Sequence, residues 1–241
     1  MKTAFCNFGR YQTRAAKGLA AVFVATAPFA SVALAQSNFS SCGSLDNPYG
    51  PFDYRLQKSK LNIVEQYHFT PNVESLVSGK SSTFVGGDLD YTLRASPNHH
   101  RALMAMMRLG EKLKTPQPQG LSYSVECYFE RALRFRSDDS IVRMLYATYL
   151  FKNNREPDAV RQLGLASESA GDNPFTHYNI GLIYLDLKKY DQALAQAHKA
   201  YGLGFTQAAL REKLKSLGKW QESSDTPPNA DNSGGSDSGQ K

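Results

Sequence analysis

The chain has few cysteines, a single tryptophan and no run of basic residues. Of its 241 residues, only 3 are cysteine and 1 is tryptophan. Its 28 basic and 22 acidic residues give a net charge of +6, but no Lys/Arg run is interleaved with aromatics as in nucleic-acid-binding surfaces. The sequence also lacks a G-x-S-x-G elbow, a phosphate-binding glycine loop and a C-x-x-C pair. Nucleic acid is therefore not an expected partner, and the common signals of hydrolases, nucleotide-binding proteins and dithiol oxidoreductases are missing.

Residues 1–35 are typical of an export signal. They contain four basic residues and no acidic one, and residues 18–35 are almost entirely apolar or small. The small-x-small triplet at 33–35 is the usual cleavage pattern. We therefore predict cleavage near Ala35/Gln36, a periplasmic location, and a mature chain that is nearly neutral and has no membrane span.

Two cysteines, Cys42 and Cys127, remain once Cys6 leaves with the leader. In an oxidising compartment such a pair is a disulfide candidate. Closing a loop of this length would contribute about 4–5 kcal/mol in the chain-entropy model. The alternative is two unrelated thiols, because the sequence does not show whether the two Cα atoms come within bonding range.

An internal repeat lies between residues 140 and 207. The segment "SIVRMLYATYLFKNNREPDAVRQLGLASESAGDN" aligns with "PFTHYNIGLIYLDLKKYDQALAQAHKAYGLGFTQ" at an offset of 34 residues. Small residues recur at equivalent positions, namely Ala147 and Gly181, Ala159 and Ala193, and Ala166 and Ala200. Each unit contains two helical patterns separated by a short polar break. The period predicts helix pairs that approach closely at the small residues.

This unit resembles the tetratricopeptide repeat, a helix-turn-helix of about 34 residues. The matching residues of the second unit are Gly181, Tyr184, Tyr190, Ala193 and Ala200. The tryptophan and proline common in that family are replaced by His177 and Phe205. The resemblance implies an all-α fold, a stack of about three repeats with a C-terminal capping helix. Its parts are repeats at about 97–139, 140–173 and 174–207, and a cap helix at 206–220.

The segments outside the repeats are less regular. Residues 36–96 predict an irregular N-terminal extension that packs on the first repeat. Within it, "FTPNVESLVSG" predicts a short helix with Thr70 as its cap and Gly79 as its stop, and "DLDYTLRAS" alternates like an extended segment. Residues 221–241 are rich in Ser, Gly, Asp and Pro and predict a disordered tail.

The stretch "ASPNHHRALMAM" predicts a helix start at Ser96-Pro97, with His99 and His100 in the first turn. Adjacent helical residues point about 100° apart, so one metal ion is not readily bound by both alone. His68 and Asp90, or Asp88, are the residues that would complete a divalent-metal site with them. The alternative is that one histidine packs or hydrogen-bonds against the N-terminal extension and the other is solvated.

Two functions follow from these patterns. In tetratricopeptide proteins, the first helices of successive units line a groove that binds peptides or partner helices. Carried over by position, that groove comprises Met144, Thr148, Phe151, Lys152, Tyr178, Leu182 and Leu185. We therefore expect a non-enzymatic periplasmic scaffold without a cofactor that binds another envelope protein, unless the cap helix or the extension covers the groove. The second hypothesis is a metal-binding or metal-dependent protein with a site at His68, His99, His100 and Asp90. The oligomeric state stays open.

Overall fold

The computed structural model describes residues 42–222, and this part of the chain is all-helical. It has ten α-helices and no β-strand. They are α1 Lys58–His68, α2 Pro71–Glu74, α3 Val85–Ala95, α4 His100–Leu113, α5 Val125–Phe135, α6 Ser140–Lys152, α7 Glu156–Ser169, α8 Pro174–Asp186, α9 Tyr190–Gly202 and α10 Ala209–Ser216. None of the helices described is long and apolar enough to cross a membrane. The predicted leader and most of the predicted tail lie outside these residues.

The turns that lead into α4, α6 and α8 have the same hydrogen-bond pattern. The backbone N–H of the residue before each helix donates to the carbonyl three residues earlier, at 3.1, 3.3 and 3.2 Å. The same residue caps the helix with its side chain, and these caps are His99, Asp139 and Asn173. Each cap accepts from at least one of the amide groups that a helix start leaves unpaired. The caps before α6 and α8 are 34 residues apart, which is the period of the sequence repeat, and the caps before α4 and α6 are 40 residues apart.

The ends of the same three helices are also alike. Lys114, Asn154 and Lys188 follow the helical turns with φ of 51°, 60° and 57°. In each case the next backbone N–H donates to the carbonyl five residues earlier, at 2.9–3.2 Å. This left-handed residue with a 6→1 bond is the Schellman ending, which reverses the chain sharply. Helices α4 and α5, α6 and α7, and α8 and α9 are thus successive helix pairs.

Alternate helices form the inner layer of the stack. Helix α4 lies beside α6, and α6 lies beside α8, while α5 and α7 each pack between two of them. Helix α10 packs on α8 and α9, where a capping helix was expected. Leu210 and Leu214 of α10 are buried, but Leu217 is exposed. One hydrophobic core runs through the stack from Phe69 to Leu214.

About half of the described part of the segment predicted to be irregular is helical, in α1, α2 and α3. The extended reading of "DLDYTLRAS" was wrong, because these residues belong to α3. Leu89 and Leu93, four residues apart, are both buried against the core, a spacing that suits a helix. The turn that follows α3 has the same backbone hydrogen bonds as the turn that follows α5. The short helix after Thr70 forms as predicted but ends at Glu74, before Gly79.

A disulfide joins Cys42 to Cys127 of α5, with 5.2 Å between the Cα atoms, as predicted. Arg131, also on α5 and buried, holds the same segment. Its Nη1 donates to the carbonyl oxygens of Cys42 at 2.8 Å and Ser44 at 2.6 Å. The start of the described chain is therefore fixed to α5 by a covalent bond and by a buried guanidinium.

Two glycines in helices are expected to respond oppositely to alanine. A Cβ on Gly86 of α3 would lie 2.3 Å from the backbone oxygen of Gln119, whereas one on Gly164 of α7 meets nothing within 4 Å. We expect Gly86→Ala to lower the free energy of unfolding by about 1–3 kcal/mol through overpacking. Gly164→Ala should raise it by about 0.5–1 kcal/mol through helix propensity. Urea unfolding measures both, and equal effects would contradict the close approach of residue 119 to α3.

Candidate functional site

His99 is a buried cap rather than a free ligand. Its Nδ1 accepts from the backbone N–H of Ala102 at 3.1 Å, so the proton lies on Nε2, which is 3.0 Å from Glu65 of α1. Burial lowers the pKa of His99 despite the carboxylate beside it. The bond from His99 in turn lowers the pKa of Glu65. His99, not Ser96, therefore starts α4, and it contacts the N-terminal segment as the alternative reading expected.

His100 contacts a different carboxylate. Its Nε2 lies 2.9 Å from Oδ2 of Asp139, the cap of α6, so the histidine is not solvated as the alternative reading had it. The neighbouring Asn98 donates from Nδ2 to the same Oδ2 at 2.9 Å and to Asp53 at 2.8 Å. These bonds connect the turns before α4 and α6 to the segment before α1.

The two aspartates of this network are buried and ionised. Burial alone would raise the pKa of Asp53, but bonds from Arg55, Asn98 and Arg136 outweigh burial and hold that pKa well below its usual value. Burial likewise opposes ionisation of Asp139, and bonds from His100 and Asn98 lower its pKa overall. The capping-turn cluster, as we call it, consists of Asp53, Asn98, His99, His100 and Asp139. Its carboxylates and its amide are used in internal bonds, so the cluster stabilises the fold and offers little to a ligand.

Aromatic rings close the capping-turn cluster on one side. The Tyr54 ring centroid lies 4.1 Å from that of His99, and Phe69 lies 4.7 Å from it on an edge. The ring of His99 therefore contacts one residue from the segment before α1 and one from the turn before α2. The sequence alone could not show this contact, because three helices lie between Tyr54 and His99 in the chain.

His68 has a carboxylate partner of its own. Its Nδ1 lies 2.8 Å from Oδ1 of Asp88, which is completely buried. Asp88 also accepts from the backbone N–H groups of Lys80 at 2.6 Å and of Ser81 and Ser82 at 3.2 Å. A carboxylate only accepts, so Nδ1 of His68 carries the proton. The residue beside His68 is thus Asp88, the alternative to Asp90.

Asp90 faces another part of the molecule. It accepts from the Tyr128 hydroxyl and from the backbone N–H of Ser122, and it pairs with Arg94 Nε at 2.9 Å. Burial and the nearby Asp90 raise the pKa of Tyr128. Asp90 therefore ties α3 to α5.

The residues of the predicted metal site do not meet. Of the residues the structure describes, one group of three potential ligands has its ligand atoms within 4.8 Å of one another, and it consists of Cys42, Cys127 and Glu130. The two sulfurs of that group are joined in the disulfide and cannot act as thiolates. His68, His99, His100 and Asp90 bond to separate partners, which are Asp88, Glu65, Asp139 and Tyr128 respectively.

The predicted groove is only partly open to solvent. Met144, Tyr178 and Leu185 expose just 8%, 4% and 8% of their surface and belong to the core. Tyr178 is covered because Phe205, which follows α9, lies 4.4 Å from its ring centroid. These three residues were therefore wrongly assigned to an open surface.

The other groove residues remain reachable from solvent. Thr148, Phe151 and Leu182 are half-buried, and Lys152 is exposed with its Nζ 2.8 Å from Glu111 of α4. The sequence reading also missed Phe175, which is 58% exposed at the start of α8 and precedes Tyr178 by three residues. The inner face, as used below, comprises the solvent-accessible side chains Thr148, Phe151, Lys152, Phe175 and Leu182.

Comparisons with protein-family models, with curated proteins and with solved structures each found no match. Function therefore has to be inferred from the residues of the chain itself.

Proposed function

We propose that this chain is an exported, non-enzymatic scaffold of the tetratricopeptide type, whose inner face binds a segment of another cell-envelope protein. The recurrence of the turns before and after α4, α6 and α8 supports a repeat architecture. The observation that carries the function is the row of half-buried and exposed apolar side chains on α6 and α8. Such a row suits an amphipathic helix or an extended peptide with apolar anchors.

The compartment and the disulfide support one another. The proposed export signal lies in residues 1–35, and the disulfide from Cys42 to Cys127 is of the kind that persists in oxidising compartments. The four residues of the metal-binding alternative have separate partners in the structure, so no contact among residues 42–222 favours that alternative.

A charge-insertion experiment tests the proposal. We expect the double variant Thr148→Glu, Leu182→Glu to lose crosslinking to its partner in the native envelope, because two carboxylates would have to be desolvated in an apolar contact. The matched control is Leu203→Glu, Leu217→Glu, which adds the same charges at exposed leucines away from the inner face. Circular dichroism checks that both variants fold.

The outcome separates the possibilities cleanly. If the control variant keeps the crosslinked partner and the inner-face variant loses it, the proposal stands. If two folded variants capture the same partner equally well, the inner face is not the binding surface.

A further inference from the structure

A cavity of about 400 Å³ is bounded by α1, α3, the segment before α1 and the loop between α2 and α3. Its walls include the rings of Tyr49, Tyr67 and Tyr91, together with His68 and Ser81. Two aliphatic side chains of α1 complete the lining. None of these side chains is an acid, a lysine or an arginine. The volume falls in the usual range for a small-molecule pocket, about 300–1,000 Å³.

His68 is held in one orientation at the wall of this cavity. Its ring stacks on Tyr91 with a centroid distance of 3.8 Å, and its Nδ1 donates to the buried Asp88. Three backbone N–H groups fix Asp88 in turn. With the proton on Nδ1, the Nε2 atom of His68 is a hydrogen-bond acceptor. Within residues 42–222 no hydrogen bond to that Nε2 is present, so the acceptor is open to a ligand.

We propose that this cavity binds an uncharged sugar, whose C–H face packs on the exposed ring of Tyr67 and one of whose hydroxyl groups donates to Nε2 of His68. A sugar ring has an apolar face and a rim of hydroxyls, which matches a wall of aromatic rings with one oriented acceptor. The hydroxyl of Ser81 donates to the backbone carbonyl of Tyr67 at 2.7 Å, so its oxygen can accept from a second sugar hydroxyl.

Other ligand classes fit the lining less well. A charged ligand would find no counter-charge among the side chains that line the cavity. A peptide would bring several backbone N–H and C=O groups, for which the lining offers few polar partners. The sugar site involves none of the inner-face residues, so a test of sugar binding is independent of the proposed scaffold function.

Calorimetric titration of the mature chain, with its disulfide intact, tests the site. The probes are maltose, cellobiose and diacetylchitobiose as free disaccharides, and the corresponding hexasaccharides as polymer-like ligands. We expect saturable binding of at least one probe, and a loss of about tenfold in affinity for Tyr67→Ala, which removes an exposed stacking ring. His68→Phe keeps a ring beside Tyr91 but removes both ring nitrogens, while Asp88 keeps its three backbone donors, and it should weaken binding by a similar factor.

The controls make the test decisive. Tyr67→Phe keeps the ring and should bind within about twofold of the wild type, since only the hydroxyl is lost. Phe175→Ala, on the inner face, should bind normally. If the hexasaccharide binds more tightly than the disaccharide, the sugar comes from a polymer. If the two bind equally, the ligand is a free saccharide. The proposal would be overturned if no probe binds saturably, or if folded Tyr67→Ala binds the probes as tightly as the wild type does. It would also be overturned if a tyrosine tetrapeptide, titrated in the same way, binds more tightly than the saccharides.

Discussion

Replacing Asp139 by alanine is expected to lower the free energy of unfolding by about 3–5 kcal/mol, the usual cost of removing one partner from a buried charged network. Asp139 is 1% exposed. It accepts from the backbone N–H groups of Ile141 and Val142, both at 3.2 Å, and from His100 and Asn98. Alanine would remove the cap of α6 and leave these donors without an acceptor. Urea unfolding followed by circular dichroism measures the loss.

The adjacent aspartate supplies the control for this prediction. Asp138 has a side chain that is 67% exposed and bonds to Arg55 at the surface. Asp138→Ala should therefore cost less than about 1 kcal/mol. Because the folded-state pKa of Asp139 is lowered, its contribution is present above the ordinary aspartate pKa of about 3.9 and is lost as the pH falls through the lowered value. Equal losses for the two variants at neutral pH would contradict the role of the capping-turn cluster.

Removing the disulfide is expected to have an effect of similar size. The double variant Cys42→Ser, Cys127→Ser opens a loop with a sequence separation of 85 residues. In the chain-entropy model the loss is about 4–5 kcal/mol, because the unfolded chain regains the freedom that the crosslink removed. Arg131 should still bind the carbonyls of residues 42 and 44, so the variant should remain helical.

Reduced wild-type protein is the matched comparison for the disulfide variant. When the wild type is reduced and both thiols are alkylated in the unfolded state, its unfolding midpoint should fall to that of the serine variant. The oxidised wild type should have a higher midpoint. A loss below about 1 kcal/mol would show that residues 42–127 are already constrained in the unfolded state. Chemical denaturation at a fixed protein concentration measures the unfolding midpoint and the free energy of unfolding of each protein.

The region from 140 to 207 was predictable because its signals are local and repeat. Helical spacing, Asn173 before Pro174, and small residues such as Ala147 and Gly181 all depend on neighbours within one or two turns. The structure places α6 at Ser140–Lys152 and α8 at Pro174–Asp186, close to the boundaries expected from the alignment. The all-helical class follows from the same local patterns.

The N-terminal part was not predictable in the same way because its structure depends on distant contacts. Leu89 and Leu93 fit an alternating pattern as well as a helical one, and their packing against the core decides for the helix. His100 pairs with Asp139, 39 residues away, and Asn98 pairs with Asp53, 45 residues away. No periodicity in the sequence indicates such pairs, so a ligand role for the histidines and a structural role looked alike.

The inner face was predicted by position but not by exposure. Equivalence by 34 residues pairs Thr148 of α6 with Leu182 of α8, and both side chains are half-buried. It could not show that Phe205, where the family has proline, turns back over Tyr178. Phe175, whose ring centroid is 6.2 Å from that of Phe205, is 58% exposed, and the alignment of the two units does not indicate this.

Site-specific photocrosslinking tests the binding role of the inner face most directly. A benzophenone amino acid would replace Leu182 in one variant and Leu217 in another, and both would be irradiated in the native envelope. The scaffold account predicts one discrete crosslinked protein from position 182 and none from position 217. No product from position 182, or the same products from both positions, would contradict the claim that the inner face is where this chain binds its partner.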